Sequence, residues 1–162
     1  MTLFEEADLL RNVPMFAKLS PSKLKLLAFT SQSLTYEDGE VLFRAGDPAD
    51  FAYVIMDGAI EILIETEGGE VVAGTLGKND LVGELAVLTK SPRSATIRAK
   101  GRLVALCIRD DIFLKLLSEN PEISLHVIRE LSEKLIRTHK QLEEAERELV
   151  RRDGLPDRTP PS

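Results

Sequence analysis

Gly83-Glu84-Leu85-Ala86-Val87-Leu88-Thr89-Lys90-Ser91-Pro92-Arg93-Ser94-Ala95-Thr96 reads as a loop built to hold phosphate. Gly83 frees the backbone for close approach to a ligand. The helix-prone run from Glu84 to Leu88 aims its first unpaired N–H groups, those of Leu85 and Ala86 among them, at an anion. Arg93 adds a planar fork matched to two phosphate oxygens. A carboxylate at Glu84 is misplaced against bare phosphate, yet it suits a ligand that also carries a ribose hydroxyl, as an acidic residue does in dinucleotide folds. Phosphate and sugar together specify a nucleotide. Taken singly, Glu84 and Arg93 would amount to a helix cap and a half-exposed ion pair, which stabilises little. The complete run decides the reading.

The run resembles the phosphate-binding cassette of the cyclic nucleotide-binding domains, Phe-Gly-Glu-Leu-Ala-Leu-Leu followed by a variable gap and Pro-Arg-x-Ala-Thr. The departure is Val82, where the family usually has Phe, a loss of apolar volume beside the loop. The resemblance implies a mainly β fold with flanking helices, a jelly-roll-like β-roll (double-stranded β-helix) that holds cAMP or cGMP. By position, Glu84 meets the ribose 2′-OH, while Arg93 and the N–H groups of Leu85 and Ala86 meet the cyclic phosphate. The likeness extends over Gly39-Glu40, Gly46-Asp47-Pro48, Tyr53-Val54-Ile55 and Gly58. Asn79 stands where members often have Gly, and Asn is the ordinary residue best able to replace Gly at positive φ.

Bulk composition agrees with a ligand-binding domain and argues against several other classes. The 162 residues, 43% of them hydrophobic, suffice for one domain with an appended element. With 27 acidic against 21 basic residues the net charge is -6, the wrong sign for neutralising a polyphosphate backbone. The single cysteine, Cys107, lies in an apolar run, as a buried thiol does, and the expected setting is cytoplasmic. No signal peptide is read, since Glu5, Glu6 and Asp8 interrupt the N-terminus, and no apolar run approaches a membrane span. The two histidines, His126 and His139, fall in one helical stretch, so the His and carboxylate cluster of a metal-dependent barrel enzyme is not expected. Ser94 has no neighbouring His, and Cys107 has no basic neighbour but Arg109 to activate it. A non-enzyme without a metal is the expectation.

Residues 1–120 read as the roll with its N-terminal helices. Leu3, Phe4, Ala7 and Leu10 recur at helical spacing and stop before Pro14. Ser20-Pro21 opens a second helix with the apolar face Leu24, Leu27 and Ala28. From Ser33 the pattern becomes short apolar runs separated by turn residues at 37–39, 45–48, 56–58, 67–69 and 77–80. About eight strands are expected, with a hairpin at Gly68-Gly69 and two closing strands, Ile97–Ala99 and Leu103–Ile108, around Gly101. Asp110 or Asp111 caps a helix through Ser118.

Residues 121–152 form a long helix whose apolar positions Ile128, Leu131, Leu135, Leu142, Ala145 and Leu149 follow heptad spacing, with Thr138 in the one polar slot. A parallel coiled-coil homodimer through 121–152 is expected. A helix docked on its own roll explains the charges but not a seam that outlasts the domain. In catabolite-activator-like members a Thr on the dimer helix reaches the adenine amino group and a Ser after the arginine touches phosphate. The resemblance assigns those positions to Thr138 and Ser94. Thr138 as a register-setting polar residue in the seam is the alternative. His139 stands where those members carry a second hydroxyl. Ser94, in place of the Thr common among cGMP binders, tilts the expectation to cAMP. Residues 153–162, with Gly154, Pro156, Pro160 and Pro161, have the composition of a flexible tail.

The expected role is a sensor or regulatory protein in which cAMP, or less readily cGMP, orders the cassette and repositions the dimer helix toward a downstream protein. The sequence does not specify that protein. Direct DNA binding is not expected, since no helix-turn-helix segment follows the dimer helix. The competing reading is a dimerising interaction module whose cassette is intact but vacant.

Overall fold

The computed structural model describes residues 2–153, which divide at Pro121 into a β unit and a helical unit beginning at Glu122. Two helices open the first. In α1 (Leu3–Arg11) Thr2 and Glu5 form a reciprocal capping box. A 3-10 turn at Pro14–Phe16 leads to α2 (Pro21–Thr30), where the Ser20 hydroxyl accepts from Lys23 N–H at 3.3 Å.

Six antiparallel strands follow: β1 (Gln32–Tyr36), β2 (Val41–Phe43), β3 (Phe51–Thr66), β4 (Gly69–Gly77), β5 (Leu81–Val82) and β6 (Thr96–Arg109). The sheet runs β1-β6-β3-β4, with β2 on β6 and β5 on β3. The expected count of eight strands is corrected here. Two apparent separators are bulges inside continuous strands. Asp57-Gly58 lies within β3, where the pairing with β6 shifts register on either side of Asp57, and Gly101 lies within β6. Both glycines hold positive φ, 90° and 73°. Bulges bend a paired strand without ending it, and here they fold two long strands into a roll. The hairpin is also displaced by one residue, because Thr66 pairs with Gly69 and Glu67-Gly68 form the loop. Asn79 does take positive φ, at 75°.

Inside the roll, Tyr53, Ile55, Ile60, Val82, Leu103 and Ala105 share one buried cluster. The alternate residues Ala52, Val54 and Met56 are buried too, since α1 and α4 (Asp110–Glu119) pack against β3. Covering both faces explains why this part of β3 reads as an unbroken apolar run. Asp110 and Asp111 occupy the first turn of α4, and Arg109 is the residue at its cap.

Cys107 is buried beside Tyr36, with which its thiol shares a hydrogen bond. Burial pushes the thiol up to about 11, against the smaller opposing effect of Tyr36. The contribution to stability is therefore complete below the ordinary thiol value of 9.0 and is lost as pH rises toward about 11, because the unfolded chain ionises first. Cys107 is expected to resist a thiol-specific disulfide reagent at pH 8 in the folded protein and to react at once in urea. Rapid labelling under native conditions would contradict this burial.

The second unit is α5 (Pro121–Asp153). Of the seam residues, Ile128, Leu131, Leu135, Leu142 and Leu149 are exposed apolar side chains. Asp153, expected to start the tail, is the last helical residue; the remainder of that tail, residues 154–162, lies outside the described residues.

Candidate ligand-binding site

β5 pairs with β3 as Tyr53↔Val82, which sets the next residue, Gly83, beside the start of β3. Gly83 turns the chain at φ 78° into α3 (Glu84–Thr89), a single short helix that ends at Lys90, φ 52°. No side chain caps its first turn. Leu85 and Ala86 are half-buried there, and so is Glu84.

Arg93 is fixed through main chain and side chain alike. Its N–H donates to Asp47 O at 2.9 Å, and its carbonyl accepts from Gly46 N at 2.8 Å. Further on, the Thr96 hydroxyl accepts from Ala45 N at 3.0 Å, so the segment runs along the loop after β2. The guanidinium, in a residue only 4% exposed, donates through Nη1 to Gly83 O at 2.6 Å and through Nη2 to Phe51 O. Its Cζ lies 3.9 Å from the Phe43 ring centroid and 5.9 Å from that of Tyr53. Nε is buried without a hydrogen-bond partner. Burial lowers the Arg93 pKa, opposed in turn by Tyr53, Asp50, Asp47 and Glu84. An arginine remains charged through such a shift.

The geometry adds a reason for the glycine at 83. A Cβ there would strike Arg93 Nη1 and stand 3.2 Å from Phe43 Cε2. The residue must be glycine to admit the protein's own arginine, as well as for its positive φ.

Six of the seven sequence candidates, Gly83, Glu84, Leu85, Ala86, Arg93 and Ser94, thus come together around one turn of helix, with Ser94 exposed beside the buried arginine. Thr138 belongs to the second unit, where its hydroxyl donates to Lys134 O at 2.9 Å. Sequence reading missed Phe43 and the carbonyl of Phe51. A main-chain acceptor has no side-chain signature, and an aromatic at the end of a strand looks like ordinary core. A cavity of about 400 Å³ lies elsewhere, among Pro48, Val87, Lys90, Pro92, Asp110 and Leu114, and none of the six candidates lines it. Among the described residues, no group of three or more His, Cys, Asp or Glu could hold a metal ion, and no helix is long and apolar enough to cross a membrane.

The family model of the cyclic nucleotide-binding domain matches residues 33–120, more than half of the chain and the whole of the cassette. The chain belongs to that family. It is 36% identical over 103 residues to a cAMP-dependent protein kinase type II regulatory subunit of Drosophila melanogaster, a match covering 64% of this chain and 27% of the relative. A CRP-like cAMP-activated global transcriptional regulator of Mycobacterium tuberculosis is 26% identical over 136 residues, covering 83% of this chain and 61% of the relative. Among solved structures, the catabolite activator protein of Thermus thermophilus superposes with a TM-score of 0.74 at 25% identity, over 82% of this chain and 63% of that one. The chain therefore spans about a quarter of the kinase subunit it matches and under two thirds of the two regulators. These relatives support a regulatory, nucleotide-binding role.

Proposed function

We propose that this protein is a non-catalytic cyclic nucleotide sensor that takes cAMP in preference to cGMP. Arg93 pairs with the cyclic phosphate and Glu84 accepts from the ribose 2′-OH, within the loop formed by Gly83, Leu85, Ala86 and Ser94. The observation that carries the reading is the buried guanidinium, 4% exposed at the residue, with Nε unpartnered. Removing a charge from water is unfavourable by several kcal/mol unless it is paired, at roughly the scale measured for buried ions. The two carbonyls and the nearby carboxylates Asp50, Asp47 and Glu84 offset part of this, and an anionic ligand adds a direct counter-charge.

Occupation of the cassette then shifts the population of helix arrangements toward one that a downstream protein recognises. Such a shift requires the ligand to bind one arrangement more tightly than the other. The exposed seam Leu131, Leu135, Leu142 and Leu149 supports a homodimer through residues 121–152, with Thr138 reaching the base in the bound state. The output is addressed to a protein in the cytoplasm. No metal and no direct DNA contact enter this mechanism.

Isothermal titration of nucleotide-free protein with cAMP and with cGMP tests the reading. Micromolar or tighter binding, with cAMP ahead, is the expected result. Absence of heat with both would overturn it and transfer the function to α5 as an interaction module. The dimer has its own test: Leu135→Lys combined with Leu142→Lys places charge in two layers of the seam and is expected to halve the mass at sedimentation equilibrium. An unchanged mass would remove the seam from the assembly.

A further inference from the structure

Phe43 is where the structure says most that the family pattern does not. It ends β2, and the β2–β6 pairing changes register between Val41↔Arg98 and Phe43↔Ile97. A bulge of this kind re-aims the side chain that follows it. The ring lies under the guanidinium at 3.9 Å, reaches toward Gly83, and leans on Tyr53 with ring centroids 5.7 Å apart. Tyr53 is in turn backed by Phe51 at 6.3 Å.

Arg93 is therefore held on three sides: Gly83 O at one edge, Phe51 O at another, and an aromatic face beneath. Of its three nitrogens, Nε is the one buried without a hydrogen-bond partner. A planar cation so confined keeps its orientation before any ligand arrives, and pre-organisation of this kind raises affinity by reducing what binding must order. Val82 is buried in the cluster against which Phe43 packs.

We propose that Phe43 is an affinity-determining positioning residue of the nucleotide site, acting through the face of its ring on Arg93. The proposal rests on the nucleotide-sensing reading above. The ring supplies the wall against which the arginine lies. A cation over an aromatic face, shielded from water, is attracted by the ring quadrupole, and that attraction disappears when the ring is replaced by an aliphatic side chain.

Two substitutions separate this role from simple packing. Phe43→Leu keeps an apolar side chain and removes the π face, while Phe43→Trp keeps the face and strengthens it. The chain contains no tryptophan, so Phe43→Trp also introduces a single tryptophan at the site, excited apart from the two tyrosines. Phe43→Leu is expected to weaken cAMP binding by about tenfold with little change in the thermal midpoint of the nucleotide-free protein. Phe43→Trp is expected to stay within about threefold of wild type, with its emission changing on saturation. In nucleotide-free protein the Nε–H resonance of Arg93 should be shifted by the ring current in wild type and return toward its ordinary position in Phe43→Leu. Wild-type affinity in Phe43→Leu, or equal losses in the two variants, would overturn the role of Phe43 while leaving the site itself standing. A wild type that binds neither nucleotide would overturn both the site and this proposal, and the Arg93 resonance would still show whether the contact forms.

Discussion

Arg93→Ala will weaken cAMP binding by at least about thirtyfold, corresponding to roughly 2 to 5 kcal/mol for loss of a buried, hydrogen-bonded charge. The physical reason is that the Arg93 guanidinium is the cation fixed against the cassette turn by Gly83 O and Phe51 O. Lys90 points from the far end of α3 at positive φ and is exposed. The substitution also has a second effect, visible without ligand. Gly83 O and Phe51 O, both half-buried, lose their guanidinium donors, which is unfavourable by up to about 1 kcal/mol each where water can partly replace the donor. Arg93→Lys retains a positive charge but cannot bridge two carbonyls with a planar fork. The expected order of affinities is wild type, then Lys, then Ala, measured by titration, with denaturant unfolding of ligand-free protein alongside. Equal affinity in wild type and Arg93→Ala would displace the phosphate site from this loop.

Gly58→Ala is expected to destabilise the fold by about 3 kcal/mol, from a left-handed backbone penalty of roughly 1 to 2 kcal/mol and an overpacking term of similar size. Gly58 holds φ 90°, and a Cβ there would collide with the carbonyl oxygen of Arg102 and lie 3.1 Å from Leu103 Cα. Both obstacles are backbone, so relief requires β3 and β6 to move apart at the bulge. Gly39→Ala is the matching control. Its φ is 82°, yet a Cβ would meet nothing within 4 Å. Only the conformational penalty of about 1 kcal/mol applies there. Urea unfolding of the two variants measures the difference directly, and equal losses would show that the close approach at Gly58 is not rigid.

These two glycines also show what the sequence could and could not convey. Each announces a backbone departure, and each was legible as punctuation. Whether a positive-φ residue ends a strand or bends it depends on the partner strand, which lies far along the chain: Asp57 pairs with Val104. Local pattern has no access to that, and so eight strands were expected where six exist. Helix starts fared better because their determinants are local, as with Ser20 and its bond to Lys23 N–H. At α4 two adjacent aspartates offered equal claims, and the cap fell one residue earlier, on Arg109. The cassette was readable because its residues sit within one turn of helix and one loop. What surrounds Arg93 was not, since Phe43, Asp47 and Phe51 reach it from a different part of the chain, two of them through carbonyl oxygens.

The pairing of β6 with β1, β2 and β3 places the last strand of the roll against three of the five earlier ones, in registers such as Gln32↔Cys107 and Phe51↔Arg109. Contacts so distant along the chain form slowly, because a long loop must close before any of them is rewarded. During synthesis from the N-terminus, β3 can pair with β4 and β5 at once, while β1, β2 and the other edge of β3 wait for β6. The arginine precedes β6 by only three residues, Thr96 being its first. The proposed nucleotide site is therefore followed at once by the strand whose pairings finish the roll. A nascent or truncated chain lacking β6 would carry every candidate from Gly83 to Ser94 without the strand pairings that complete the roll, and is expected to bind no nucleotide.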